Sequence, residues 1–478
     1  MKKILITTAI DYTNDVVHIG HAYQKIVADC LARYYKKNLG EKNVFFVTGT
    51  DEHGGNIEVS ARARGKDPKA FVDEIVNEDK KQWEALGVEP DRFIRTTDED
   101  HKNTVKTFWE KSVRNGDIYK GIFHGLYCLG CESYKTESEI VDRKCPLHRT
   151  KILQKVSEEN YFFKWSKYQD FLEKLFKGHN GFVYPESRQN EMREFLKEGI
   201  EDIVISRSRN KVGWGIAVPG DTAQVIYVWF DALINYYTAA SPKGFWDGDT
   251  HVVHILGKDN CRWHSLLWPA MLQSAGFRVP DRIYAHGFIN LNGQKISKSL
   301  GNVIRPTELV DQFGSDAVRY FFLKYGPSID DVDISIERIK DVYNSELANG
   351  LGNLVARVAK LAEGHIWNFP LIKRDELHTL HFKIRLWMGN FQLNRALDAI
   401  MSEVKKLDDY LDREKPWEKK GKEQKNILLP LITGSEEIHS VREIAEVLEP
   451  FMPETSQKII AQFSQEKILS HLPYFPRK

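Results

Sequence analysis

Two histidines and a glycine near the start of the chain have a spacing that suits phosphate chemistry. His18, Gly20 and His21 form an H-x-G-H sequence directly after an apolar segment, where a helical pattern begins. Two imidazoles, a glycine that lets a ligand approach closely, and the free N–H groups of a helix N-terminus together favour phosphate binding. The alternative is that both histidines only cap the helix or pack in the core.

A second group of this kind lies far along the chain. Lys295, Ser297 and Lys298 belong to the sequence K-I-S-K-S at residues 295–299, in a loop after the last predicted strand. A loop rich in lysine and serine is by itself usually solvated surface. However, one motif follows the first predicted strand and the other follows the last, and a doubly wound parallel sheet brings such loops to one edge. The pair therefore predicts that imidazole and ammonium groups clamp a triphosphate.

Four residues in the middle of the chain have the spacing of zinc ligands. Cys128 and Cys131 form C-x-x-C, and Cys145 and His148 form C-x-x-H. Four protein ligands close a tetrahedral coordination sphere, so the predicted metal is structural and there is one per chain. The alternatives are unligated thiols, or His124 as a competing ligand.

Composition excludes several classes of protein. Lys and Arg total 68 against 67 for Asp and Glu, which excludes a globally basic nucleic-acid coat and an acidic disordered tail. The 28% charged and 42% hydrophobic residues are typical of a soluble globular protein, and no apolar run is long enough to span a bilayer. The five cysteines are too few and too clustered for a secreted disulfide framework, so we expect a cytoplasmic protein.

Hydrophobic patterning predicts the elements that must position these groups. Apolar β-branched segments predict strands, and after residue 335 long amphipathic segments predict helices with almost no strands. The predicted strands cover residues 3–9, 43–47, 224–228, 251–256 and 282–286, and the principal predicted helices cover 22–35, 168–177, 189–199, 264–275, 339–362 and 378–411, with 412–425 as a charged connector. The fold class is therefore α/β: a Rossmann-type parallel sheet, split by an insertion that carries the zinc site and followed by an α-helical bundle.

Five longer segments resemble one family closely. They are residues 7–23 (TTAIDYTNDVVHIGHAY), 48–54 (TGTDEHG), 225–237 (VIYVWFDALINYY), 254–272 (HILGKDNCRWHSLLWPAML) and 286–302 (HGFINLNGQKISKSLGN). The chain is similar over nearly its whole length to methionyl-tRNA synthetases, which are class I aminoacyl-tRNA synthetases. The resemblance implies ATP-dependent ligation of L-methionine to tRNA(Met) through methionyl-adenylate, with AMP and diphosphate as products.

The resemblance also implies roles for the two phosphate motifs. The catalytic groups would be His18 and His21 at the α-phosphate, with Lys295 and Lys298 at the departing diphosphate, and Lys298 ranks first among the lysines. Mg²⁺ would accompany ATP. The ATP-binding residues would be His18, Gly20, His21, Lys295, Ser297 and Lys298.

A shaped apolar pocket must select methionine, because its side chain ends in no charged or strongly hydrogen-bonding group. The resemblance implies that Asp51 binds the amino group, with Asp259 close by. The residues around the side chain would be Ile10, Tyr12, Trp229, Ala232, Tyr236, Trp263, His264 and Trp268. The alternative for the three tryptophans is ordinary core packing.

The helical end resembles the part of the family that binds the anticodon. Asn353 and Arg357 are four residues apart and share a helix face, and Trp417 follows a proline; the matching positions would contact the CAU anticodon. The domains implied are the first catalytic half at 1–114, a connective insertion with the zinc knuckle at 115–224, the second catalytic half at 225–293, the K-I-S-K-S loop with its connector at 294–338, and a helical anticodon-binding domain at 339–478. We expect a monomer.

Three other functions fit parts of the sequence. A cysteinyl-tRNA synthetase shares the class, but its zinc binds substrate, whereas the C-x-x-C and C-x-x-H set fills the metal here. A small cytidylyl- or adenylyltransferase also uses H-x-G-H, but leaves the insertion and the helical end unexplained. An RNA-binding protein without turnover is disfavoured by the intact His18, His21 and Lys298.

Overall fold

A computed structural model of the chain describes residues 3–128, 133–135, 140, 142, 144–145, 153–296, 301–368, 380–435 and 438–478. The chain divides into two compact units. The first unit comprises Met1–Val17, Tyr35–Lys81 and Glu89–His286, and the second comprises His18–Tyr34, Gln82–Val88 and Gly287–Lys478. None of the helices in these described ranges combines the length and the apolar character that a membrane crossing needs.

The described residues form both strands and helices. The strands are β1 (Lys3–Thr8), β2 (Asp11–Tyr12), β3 (Val44–Asp51), β4 (Arg92–Arg95), β5 (Ile118–Cys128), β6 (Ser133–Lys135), β7 (Leu153–Phe163), β8 (Val183–Tyr184), β9 (Ile203–Val204), β10 (Ser206–Ser208), β11 (Ala217–Val218), β12 (Asp221–Ile226), β13 (Thr250–Gly257), β14 (Arg282–His286), β15 (Ile289–Leu291), β16 (Gln294–Lys295) and β17 (Val332–Ile334). The helices are α1 (Ile19–Leu39), α2 (Gly55–Ala63), α3 (Pro68–Ala85), α4 (Glu99–Arg114), α5 (Gln169–Gly178), α6 (Glu186–Glu198), α7 (Val228–Ala232), α8 (Asn235–Ala240), α9 (Trp268–Ala275), α10 (Pro306–Phe313), α11 (Ser315–Tyr325), α12 (Ile336–Val342), α13 (Asn353–Ala362), α14 (Leu380–Gly389), α15 (Leu393–Glu414), α16 (Gly421–Thr433), α17 (Val441–Leu448) and α18 (Pro453–Gln462).

The first unit is built on a parallel sheet. Its strand order is β2-β3-β1-β13-β14-β8, with β4 beside β3, and each pairing is parallel. In the centre of the sheet Ile4 lies opposite Val44 on one side and His251 on the other. β1 and β13 are rich in buried apolar residues, as strands covered on both faces usually are. Their parallel pairings confirm the predicted parallel sheet.

The prediction for the sheet differs from the structure in two strands: 224–228 was assigned to the wrong sheet, and β8 was not predicted. The prediction that 224–228 resumes the parallel sheet is wrong: β12 lies in a separate antiparallel sheet with β10 and β11, and Val228 already begins α7. The edge of the parallel sheet is instead β8, from inside the predicted insertion, which pairs with β14. Periodicity detects an apolar strand but does not say which sheet it joins. The predicted insertion also contains the antiparallel sheet β6-β5-β7-β9.

The C-terminal part is helical, as predicted. The segment predicted as one helix over 339–362 contains a π-helical stretch, Tyr343–Gly352, between α12 and α13. The helix predicted over 378–411 is divided into α14 and α15. Phe391 lies at the break with a positive φ of 58°, which an α-helix does not accommodate.

Candidate functional site

The H-x-G-H residues lie at the start of α1 in the second unit. The backbone N–H of Gly20 donates to Nδ1 of His18 (3.0 Å), and the backbone N–H of His18 donates to Nδ1 of His21 (3.2 Å). Because Nδ1 accepts a hydrogen bond in both rings, the imidazole proton of each neutral ring is on Nε2. The two half-buried rings are 4.3 Å apart, centre to centre. The backbone hydrogen bonds to Nδ1 thus give His18 and His21 an N–H donor each at Nε2.

Gly20 is required by the His18 ring. A Cβ atom at this position would lie 2.7 Å from Cε1 and 2.9 Å from Nδ1 of His18. Any side chain at residue 20 would therefore displace the imidazole. The predicted role of this glycine was close approach by a ligand, and the structure adds the close approach of the neighbouring histidine.

The K-I-S-K-S loop also belongs to the second unit. Lys295 ends β16 and is exposed, and its Nζ lies 5.6 Å from the centre of the Phe288 ring. Ser297 and Lys298 lie outside the described residues. Just beyond the loop, the carbonyl of Ile304 accepts a hydrogen bond from the backbone N–H of Ile19 (2.9 Å). The chain that leaves this loop is thus bonded directly to the first residue of α1, between the two histidines.

Most residues predicted to bind methionine lie in the first unit around one buried pair. The Nδ1–H of His264 donates to the carbonyl of Asn260 (2.9 Å), so Nε2 accepts from the hydroxyl of Tyr236 (2.7 Å). Burial lowers the pKa of His264 to about 4, and burial raises the pKa of Tyr236. Both side chains are therefore uncharged at neutral pH. Trp229 stacks on Trp263 at 4.9 Å between ring centres.

Sequence reasoning did not assign His254, which borders the same pair. Its ring centre lies 4.3 Å from that of Tyr236. Trp268 Nε1–H donates to its Nε2 (3.2 Å), so its Nδ1–H donates to Thr7 Oγ1 (2.6 Å). Burial lowers the pKa of His254 well below its usual value. The available signal was a histidine inside an otherwise apolar strand, β13.

Asp51 ends β3 and pairs in register with Tyr12 of β2. Burial is the main reason that the pKa of Tyr236 is raised. The negative charges of Asp51 and Asp11 raise this pKa further. Ile10 packs against the same apolar core as Trp229.

The remaining predicted residues differ in exposure. Ala232 is buried on α7, whereas Asp259 is exposed in the single turn after β13. Tyr12 packs against a smaller apolar cluster that includes Val16 and Ile57. The structure therefore groups the aromatic residues with His264 and leaves the Asp259 side chain at the surface.

Two of the four predicted zinc ligands are described. Cys128 ends β5, and the side chains of Cys128 and Cys145 are both fully buried. Cys131 and His148 lie outside the described residues, and within the described ranges no group of three His, Cys, Asp or Glu residues could hold a metal. The possible competitor His124 is exposed on β5. Cys30 and Cys261 are buried, and burial raises the pKa of Cys261 to about 12, so it packs as a neutral thiol.

The predicted anticodon residues lie on the second unit. The guanidinium of Arg357 lies 5.4 Å from the Trp417 ring and forms ion pairs with Asp408 and Asp412, both at 2.6 Å. Trp417 is 46% exposed. Asn353, one turn before Arg357, is exposed and borders a cavity of about 350 Å³. The other residues that line this cavity include Asn349, Phe475 and Arg477.

Comparison with known proteins identifies relatives for both ends of the chain. The family described as "tRNA synthetases class I (M)" matches residues 4–156 and 147–359. The family "Anticodon-binding domain of tRNA ligase" matches residues 374–478.

Individual relatives match over most of their own length. A methionine–tRNA ligase of Caldanaerobacter subterraneus is 41% identical over 96% of this chain and 74% of its own, and one of Nostoc is 40% identical over 96% and 90%. Among solved structures, Mycobacterium tuberculosis methionyl-tRNA synthetase in complex with methionyl-adenylate matches with a TM-score of 0.89 and 33% identity, covering 100% of both chains.

Proposed function

The chain belongs to the methionyl-tRNA synthetases of class I, and from this premise we propose which of its residues perform each step. The enzyme joins L-methionine to tRNA(Met) with ATP through methionyl-adenylate, and releases AMP and diphosphate. The observation that carries the residue assignment is the hydrogen bond from Ile19 to Ile304. It ties the start of the H-x-G-H helix to the chain leaving the K-I-S-K-S loop.

Methionine activation is mainly a matter of positioning and charge. The substrate carboxylate is already ionised at neutral pH, so it attacks the α-phosphorus of ATP without a general base. We assign the Nε2–H donors of His18 and His21 to the α-phosphate oxygens, where negative charge grows. Lys295 and Lys298 act on the departing diphosphate, and Mg²⁺ bound with ATP offsets further negative charge. A terminal ribose hydroxyl of tRNA then attacks the carbonyl of the adenylate.

The methionine site proposed here pairs one carboxylate with a neutral aromatic surround. Asp51 binds the α-ammonium group of the substrate. Tyr236 and His264 are hydrogen-bonded to each other, and the second ring nitrogen of His264 is bonded to Asn260, so both present uncharged faces to the thioether. Sulfur favours such aromatic contacts, which suits Trp229, Trp263 and Trp268.

The direct test of the function is ATP–diphosphate exchange with a panel of amino acids. We expect exchange that depends on L-methionine, with cysteine and leucine inactive at the same concentration. Exchange that needs no methionine would contradict the specificity. Exchange that depends on cysteine would instead favour the cysteinyl-tRNA synthetase alternative.

We also propose the zinc site. Two buried cysteines, of which Cys128 ends β5, fit a thiolate-rich structural site, with Cys131 and His148 as the other ligands. Bound zinc would cross-link segments of the insertion and have no chemical step to perform.

Metal analysis tests this proposal. We expect about one zinc per chain in the purified protein and a clear loss of zinc in Cys128→Ser, because a structural site needs all four ligands. Cys261→Ser, which removes a buried thiol elsewhere in the first unit, is the matched control and should keep its zinc. Equal zinc content in the two variants would overturn the assignment.

Asn353, Arg357 and Trp417 are proposed to contact the anticodon. An exposed indole can stack on an unpaired base, and the neighbouring guanidinium and amide can reach base edges or phosphate.

Trp417→Ala should raise KM for tRNA(Met) in aminoacylation by about tenfold, since stacking of one base contributes about 1–3 kcal/mol. Exchange without tRNA should stay unchanged, because the activation step does not involve the anticodon. The matched control is Phe382→Ala, which removes a different exposed aromatic side chain, on α14. An unchanged KM for tRNA in Trp417→Ala would remove this residue from the anticodon site.

The domain boundaries at 114, 224, 293 and 338 remain proposals, as do a cytoplasmic location and a monomeric enzyme. The clustered cysteines support the reducing compartment. Mass measurement of the purified protein in solution tests the monomer.

A further inference from the structure

A buried carboxylate in the first unit is held by two imidazoles. Asp231 Oδ2 lies 2.6 Å from Nδ1 of His53, and Asp231 Oδ1 lies 2.8 Å from Nε2 of His101. Asp231 and His101 are fully buried, and His53 is 4% exposed. A carboxylate oxygen can only accept, so both of these ring nitrogens carry the proton. We call these three residues the Asp231 clamp.

The clamp connects the elements that carry the proposed methionine residues. His53 lies two residues after Asp51, and Asp231 lies on α7 between Trp229 and Ala232. His101 comes from α4, which contributes none of the proposed methionine residues. The loop after β3 and helix α7 are therefore joined through the side chain of Asp231.

The remaining nitrogen of His101 also has a partner. Its Nδ1 lies 3.2 Å from Oγ1 of Thr238 on α8, two residues after Tyr236. His101 thus contacts α7 through one ring nitrogen and α8 through the other. Both helices carry residues assigned to the substrate side chain.

The charge of Asp231 makes this arrangement demanding. An ionised carboxylate without solvent needs partners on both oxygens. Burial alone would raise the pKa of Asp231, but His53 and His101 outweigh it and lower the pKa to about 2. Loss of either imidazole would leave one charged oxygen without its bond, and the loop or α7 would shift to compensate.

The loop after β3 is also held through Glu52. Glu52, which separates Asp51 from His53, is fully buried and makes a two-pronged ion pair with Arg95 at 2.5 and 2.9 Å. Thr97 Oγ1 donates to the same carboxylate at 2.5 Å. With residues 52 and 53 both bound, the Asp51 backbone has little freedom, so its distance from α7 depends on the clamp.

We propose that His101 is a positioning residue for methionine recognition, which acts through Asp231 to set the separation between Asp51 and the α7 residues around the thioether. The inference rests on the proposed role of Asp51 and extends it by naming what holds that residue in place. His101 touches no substrate in this scheme.

The test uses the two amides that copy the two imidazole nitrogens. Glutamine places its N–H near the position of histidine Nε2, and asparagine places its N–H near that of Nδ1. Because Asp231 is bonded by Nε2 of His101 but by Nδ1 of His53, the preferred substitutions should be opposite at the two positions. A general loss of packing would not produce this inversion.

We expect His101→Asn to raise KM for methionine in ATP–diphosphate exchange about tenfold, and His101→Gln to stay within about threefold of the parent enzyme. At residue 53 we expect the reverse, with His53→Asn close to the parent and His53→Gln impaired. KM for ATP should change by less than twofold in all four. His471→Asn, at an exposed histidine, is the control. If the variants at one of the two positions do not fold, the Asn and Gln variants at the other position still test the inference, because their effects are expected to differ.

Equal effects of Asn and Gln at both positions would overturn the inference, as would equal increases in KM for methionine and for ATP. Asp51→Asn separates this result from a failure of the proposed function. If Asp51→Asn leaves KM for methionine unchanged, the assignment of Asp51 is wrong. If Asp51→Asn raises it while the His101 and His53 variants show no inversion, only the clamp is rejected.

Discussion

Replacing His21 by alanine should slow the formation of methionyl-adenylate by about 10²- to 10³-fold, the usual effect of removing one donor to a developing oxyanion. His21 accepts the backbone N–H of His18 at Nδ1, so the group lost is a preset Nε2–H donor. KM for methionine should change little, because the loss concerns the transition state. Single-turnover formation of adenylate measures the effect, and a rate within threefold of the parent enzyme would exclude this role.

Gly20→Ala provides an independent perturbation of the same pair of rings. It leaves both imidazoles in the sequence but places a methyl group 2.7 Å from Cε1 of His18. The ring must move, so adenylate formation should slow although no donor has been deleted. His21→Gln, which keeps an N–H near the Nε2 position, should lose less activity than His21→Ala.

Arg319→Met should lower the free energy of unfolding by about 3–5 kcal/mol, the range for breaking a buried ion pair from one side. Arg319 is fully buried on α11, and its Nη2 lies 2.7 Å from Asp29 on α1. It also donates to the backbone carbonyls of Leu86, Pro450 and Phe451 at 3.0–3.2 Å. Methionine fills the volume but supplies none of these donors.

The matched control is Arg442→Met, which breaks a partly exposed ion pair with Glu446 on α17. Exposed pairs contribute about 0–1 kcal/mol, so this variant should unfold near the parent midpoint. Urea titration followed by circular dichroism compares the two variants. Equal stability of Arg319→Met and Arg442→Met would show that the buried guanidinium contributes little, against expectation.

The parts of the fold that follow from local pattern were predictable. The short, β-branched apolar segments of β1 and β13 predict buried strands, and the helical period of the C-terminal segments predicts amphipathic helices. The sheet membership of β8 was not predictable, because β8 has only two residues and its partner β14 lies far along the chain, with Val183 opposite Ile283. The membership of β12 was not predictable because an apolar run does not show which sheet it joins, and β12 pairs with its neighbours β10 and β11. The break near Phe391 depends on a single residue with positive φ, which carries no clear sequence signal for an aromatic side chain.

The candidate site, like the fold, was only partly predictable from the sequence. Residue types and spacing marked His18, Gly20 and His21, since their geometry is local to one helix start. His101 and Asp231 were missed because their pairing joins residues 130 positions apart. An isolated histidine in a helix or an aspartate in an aromatic segment gives no signal until the fold brings them together.

The turn Trp263–Leu267 is π-helical, and the N–H of Trp268 bonds to the carbonyl of Trp263, five residues earlier. Such a turn is equivalent to a one-residue insertion in an α-helix. Deleting one residue from this turn would rotate the chain on its N-terminal side by about 100° relative to α9. The Trp263 indole would then leave the Trp229 face, and the His264 ring would leave the Tyr236 hydroxyl. One extra residue, rather than the choice of side chains alone, therefore determines where these two rings point.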